Sequence, residues 1–128
     1  MIKFEEYFVS NSDGKSNCII RSFCKMFNKE YDEVFDELVD IANKLNYDSY
    51  AEIEVFEKYL EDRKFLPIDN YKDTQIKDLS LDNSKYIIFC YDKKDWYHMV
   101  PIIDNTLYDK TEESLDLYVI TVYKNTAK

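Results

Sequence analysis

His98 is the only histidine in the chain, and the cysteines are Cys18, Cys24 and Cys90. A thiol beside an imidazole can carry out nucleophilic chemistry on a carbonyl, the thiolate attacking while the imidazole moves the proton. Any mechanism that needs an imidazole must use His98. The three thiols differ in setting. Cys18 opens the run CIIRSFCKMF directly after Ser16 and Asn17, either of which offers a side-chain oxygen to cap a helix. Unpaired amide groups at a helix start favour negative charge and lower a cysteine pKa. Stepping about 100° per residue from Cys18 gathers Ile19, Ile20, Phe23, Cys24, Met26 and Phe27 in one apolar arc, with Cys18, Arg21, Ser22 and Lys25 outside it. Cys24 therefore reads as a core residue, and so does Cys90 between Phe89 and Tyr91. His98 alternates with Trp96, Val100 and Ile102 on one strand face, a setting that also suits a neutral core histidine.

A third group must accept the other imidazole N–H, and downstream of His98 the choices are Asp104 and Asp109. Asp104 lies six positions further along the same strand. At ~3.3 Å per residue that is roughly 20 Å, beyond hydrogen-bond reach. Asp104 is thus a turn residue. If Asp104 and Asn105 form a two-residue loop, Ile103 pairs with Thr106 and Val100 with Asp109, which brings Asp109 to the face of His98 at the diagonal position. A three-residue loop would flip Asp109 to the opposite face. Arg21, one turn after Cys18, has two uses: binding a substrate carboxylate or making a salt bridge. The developing oxyanion needs donors, for which the Cys18 N–H and the amides of Asn11 and Asn17 are available. Trp96, Tyr97 and Tyr91 are the aromatic residues expected to line a substrate groove. One histidine and scattered cysteines cannot build a thiolate–imidazole metal site, so neither a metal nor another cofactor is implied.

These side chains must be held by elements that the pattern also gives. Ile2 to Val9 alternates weakly, and Ser10 to Ser16 reads as a loop around Gly14. Helices are expected over Cys18 to Phe27, about Tyr31 to Leu45, and about Tyr50 to Arg63 with Ser49 as cap. Phe65 to Ile68 fits a short strand, and Thr74 could cap a helical turn or two through Leu79. The last third changes period: Lys85 to Tyr91, Trp96 to Ile103, Leu107 to Asp109 and Leu117 to Lys124 are β-branched and aromatic. Short connections at Asp92 to Asp95 and Asp104 to Asn105 predict antiparallel hairpins. Pro101 inside a strand belongs at an edge or a bulge, since it removes a ladder donor.

Composition narrows the class. The 128 residues fit one domain, 1–128, with 45% hydrophobic and 34% charged residues, a mixture that supports a folded core. An odd number of cysteines without CxxC spacing argues for reduced thiols. Lys3, Glu5 and Glu6 interrupt the first apolar stretch, and no run approaches the ~20 apolar residues of a membrane span, so a cytoplasmic location and no membrane partner are expected. A net charge of -9 repels phosphate backbones and disfavours nucleic acid.

The order of these pieces resembles the compact papain-like cysteine hydrolases of bacteria and phages, which include bacteriocin-processing peptidases and cell-wall amidases. The resemblance rests on Asn17-Cys18-Ile19-Ile20-Arg21 opening a helix, Tyr97-His98-Met99-Val100 on a strand, and Leu107-Tyr108-Asp109 on the next. It implies an α+β fold with N-terminal helices packed on a C-terminal antiparallel sheet, and a triad of Cys18, His98 and Asp109. The implied function is a thiol hydrolase (peptidase or amidase) or acyl transferase acting on a peptide or amide substrate. The alternative is a catalytically inactive acidic module on the same scaffold, phage or mobile-element encoded, that blocks a basic protein partner. It draws on the -9 charge and the missing upstream glutamine.

Overall fold

Asn17 starts the first helix, α1 (Cys18–Phe27), with its side-chain oxygen accepting from the Ile19 N–H at 2.8 Å. Asn28, in the left-handed conformation at φ 54°, ends it by returning its N–H to the Cys24 carbonyl. The computed structural model describes residues 1–127, and its remaining elements follow in order. A strand β1 (Lys3–Glu6) precedes α1; α2 (Tyr31–Lys44), α3 (Ile53–Asp62) and β2 (Phe65–Ile68) follow it. A 3-10 turn at Ile76–Asp78 leads to β3 (Lys85–Tyr91), β4 (Tyr97–Ile103) and β5 (Thr106–Asp109), then a 3-10 stretch at Glu112–Asp116 and β6 (Tyr118–Asn125). The third helix starts at Ile53 rather than near Tyr50, because Ser49 spends its hydroxyl on the Ala51 N–H in the preceding turn.

The fold is α+β, three helices on one six-stranded sheet of order β1-β5-β4-β3-β6-β2. The expected all-antiparallel sheet is in fact mixed, since β1 pairs with β5 in parallel while the other pairs are antiparallel. Hairpin geometry constrains strands joined by short turns, whereas β1 is separated from β5 by all three helices and is free to dock in either direction.

Both faces of the sheet are covered. On one, Ile87, Met99 and Tyr123 pack under Ile20, Phe23 and Leu38 of the helices. On the other, Ile88, Val100 and Val122 meet Ile76, Leu79 and Leu117. Burial on both sides explains why β3 and β4 read as almost continuous apolar runs instead of alternating ones.

The feature that positions the site is a split between β4 and β5. Asp104 (φ 51°) and Asn105 (φ 60°) both adopt left-handed backbone, the signature of a two-residue type I′ turn, and set Ile103 opposite Thr106 and Ile102 opposite Leu107. The ladder stops there. In such a hairpin Ile103 exchanges both bonds with its partner, so Pro101 and Met99 also aim their backbones toward β5. Pro101 has no N–H to offer at the point where pairing ends, which reconciles a proline with an interior strand. Beyond it α1 replaces β5 as the neighbour: the Ser22 hydroxyl donates to the Met99 carbonyl at 3.0 Å.

Candidate active site

Cys18 is the first residue of α1 and is partly buried beside β4. Its backbone N–H finds no acceptor among the described residues, which leaves a partial positive charge at the thiol. His98 and Asp109 are 6% and 2% exposed, and Nε2 of the imidazole meets Oδ2 of Asp109 at 2.6 Å. With Nε2 engaged by the carboxylate, Nδ1 is the ring nitrogen left to Cys18.

The electrostatics of the three groups agree in direction. Burial pushes the Cys18 thiol up, but the hydrogen bond and charge of His98, the Met99 backbone amide and the charge of Arg21 together hold it below its ordinary value. Burial works to lower His98, and the hydrogen bond to Asp109 with the interactions of Cys18 outweighs it, raising the imidazole to about 9. Asp109 is pushed up by burial yet drawn down to about 2 by His98, Ser114 and the Lys110 N–H. All three shifts favour the charged forms, the direction that a thiolate–imidazolium pair requires. The other two thiols go the opposite way: burial takes Cys24 to about 11 and Cys90 well above its usual range.

Asp109 has donors on both oxygens. Oδ1 accepts from Arg21 Nη2 at 3.0 Å and from the Lys110 N–H at 2.8 Å, while Oδ2 accepts from His98 and from the Ser114 hydroxyl. Ser114 was not singled out by the sequence reading, although the Thr111 cap on the Glu113 N–H marks the turn that delivers it.

The residues expected to bind substrate divide. Tyr91 and Tyr97 line a cleft of about 650 Å³ that opens beside Cys18 and His98, with Phe89 stacked on Tyr97 at 5.9 Å and Ile53, Phe56 and Lys72 completing its walls. Trp96 is not among the lining residues; its ring lies on the His98 imidazole at 4.7 Å and 19°, covering it from solvent. Arg21 does not reach the cleft either. It is 4% exposed and holds Ser16 and Asp109, so the salt-bridge use replaces the substrate-carboxylate use. Of the two oxyanion amides, Asn11 has its side-chain oxygen in the loop, accepting from Asp13 and Lys15, whereas Asn17 borders the cleft. The Asn17 Oδ1 is fixed by the helix cap, which leaves its NH2 as a donor.

Among the described residues no group of three His, Cys, Asp or Glu side chains could hold a metal ion, and no helix is long and apolar enough to cross a membrane. Comparisons with protein-family models, with curated proteins and with solved structures gave no match.

Proposed function

We propose that this protein is a thiol hydrolase or acyl transferase with a papain-like layout, acting on an amide or thioester. The Cys18 thiolate attacks the carbonyl carbon, and the oxyanion is met by the Cys18 N–H and the Asn17 amide. The His98 imidazolium gives its proton to the departing nitrogen or sulfur, the C–N or C–S bond breaks, and a Cys18 thioester remains. A water, amine or thiol then attacks that thioester while His98 takes its proton, and expulsion of the thiolate restores the pair. Asp109 fixes the ring with Nδ1 toward Cys18. The apolar cleft suits a substrate with an aromatic or aliphatic group beside the reacting carbonyl.

The observation that carries this reading is selective: of three thiols, only the one at the helix start facing a carboxylate-held imidazole is shifted toward the thiolate. The test is the pH dependence of Cys18 alkylation by iodoacetamide, with the labelled site located by mass spectrometry. A thiolate that titrates below its ordinary value and loses that property in His98→Ala supports the reading. A sluggish Cys18 indifferent to His98 removes it, and the -9 charge then favours an acidic binding module for a basic protein.

A further inference from the structure

We infer that Arg21 is a positioning residue of this site, holding the Asp109 carboxylate and keeping the buried cluster electrically neutral through both halves of the reaction. The inference rests on the thiol-hydrolase reading and adds a fourth member to its machinery. In the resting state the Cys18 thiolate and Asp109 carry one negative charge each, and the His98 imidazolium and Arg21 one positive charge each. In the acyl-enzyme Cys18 is a neutral thioester and His98 has given its proton to the leaving group, so Asp109 keeps Arg21 as its only counter-charge. Without Arg21 both states would hold an uncompensated anion beside His98 and Asp109, which are almost fully buried.

The geometry suits that task. The guanidinium, a fixed charge with a planar fork of donors, sits one helical turn after the nucleophile and reaches Oδ1 of Asp109, the oxygen that His98 does not use. Its other end donates to the Ser16 hydroxyl at 2.9 Å, and Ser16 in turn donates to the Val9 carbonyl at 2.7 Å. One side chain thus links the loop before Cys18, the helix that carries it and the strand that carries Asp109.

Among the buried neighbours no group supplies a competing charge near neutral pH, and Lys72, on the cleft wall, is exposed. Tyr7 after β1, Tyr31 on α2, Tyr50 before α3, Cys90 on β3 and Cys24 on α1 itself are all raised and therefore uncharged. Lys25, a turn further along α1, lies over the Tyr108 ring at 4.2 Å, and Glu112 and Glu113 beside Ser114 are exposed.

The test compares Cys18 alkylation across pH in the wild type, Arg21→Gln and Arg21→Lys, each checked for folding by circular dichroism. Loss of the positive charge in Arg21→Gln is expected to move the rising limb by about one pH unit to higher pH, roughly a tenfold drop in labelling at any pH on that limb. Arg21→Lys is expected to keep the limb near its wild-type position while labelling more slowly, because the fork is lost. A folded Arg21→Gln with the wild-type limb overturns the inference. If that variant does not fold, Arg21→Gln is placed in the Asp109→Asn background, where the partner charge is absent. There a double variant that folds as Asp109→Asn does supports the inference, because neither charge is then left without its partner, and one that still fails to fold overturns it. A wild type without a lowered, His98-dependent thiol would instead sink the hydrolase reading itself, so the two failures remain distinct.

Discussion

On one face of α1, Ile20 and Phe23 meet the apolar side chains of α2 and α3; on the other, Cys18, Arg21 and Ser22 meet polar atoms of β4 and β5. Both faces are buried, and the forces on them differ in kind. Phe23 stacks on Tyr59 at 4.6 Å, a contact whose energy comes from area and fit and tolerates side chains of similar volume. Arg21 and Ser22 make directional contacts with one carboxylate oxygen and one carbonyl, which no side chain of similar size reproduces. The helix is anchored by its first face and aimed by its second. Substitutions on the two faces should therefore separate stability from thiol chemistry.

The largest expected effect is on the polar side. His98→Ala leaves Cys18 with burial and without its principal partner, and its alkylation rate near neutral pH should fall by about 10²-fold or more. Phe23→Ala tests the apolar side: chemical denaturation should show a loss of about 3–5 kcal/mol, while the pH profile of Cys18 labelling in the folded fraction stays in place. A moved profile would break the distinction between the faces.

Asp109→Asn should affect both measurements, because it strips Arg21 of its buried partner. We expect a loss of about 3 kcal/mol, the low end for a broken buried pair because the guanidinium keeps Ser16. The same variant addresses pH. The raised His98 contributes stability that is full below its ordinary 6.5 and lost as pH rises through about 9. The lowered Asp109 contributes stability that is full above 3.8 and lost as pH falls through about 2. Thermal melts across pH should show both losses in the wild type and flatter limbs in Asp109→Asn. The smallest effect belongs to Ser22→Ala, which removes one hydrogen bond to Met99 and should cost about 1 kcal/mol in urea denaturation.

Much of the architecture was legible before the structure. The α1 limits follow from a cap at Ser16 or Asn17 and the apolar arc, and a short hairpin turn at Asp104-Asn105 from the length of the connection; the structure selects Asn17 and the two-residue loop. Reach excludes Asp104, while the place of Asp109 depends on the hairpin register; in the structure the His98 and Asp109 side chains lie 2.6 Å apart. The direction of β1 was not legible, because no short turn ties it to β5. Spacing leaves Arg21 between a substrate carboxylate and a salt bridge and puts Trp96 at the groove, because it does not say what packs against them; one lies buried on Asp109 and the other on the imidazole. Ser114 was missed because its partner lies across a turn.

Periodicity, caps and turn residues are local properties, so the chain by itself determined which segments become helices and strands and which side chains share a face. Tertiary structure alone decided that the polar stripe of α1 enters the gap where β4 and β5 part, and with it the environments of Cys18, Arg21 and Trp96. Those environments depend on desolvation and on charges brought together from α1, β4 and β5, quantities that no spacing within one element encodes.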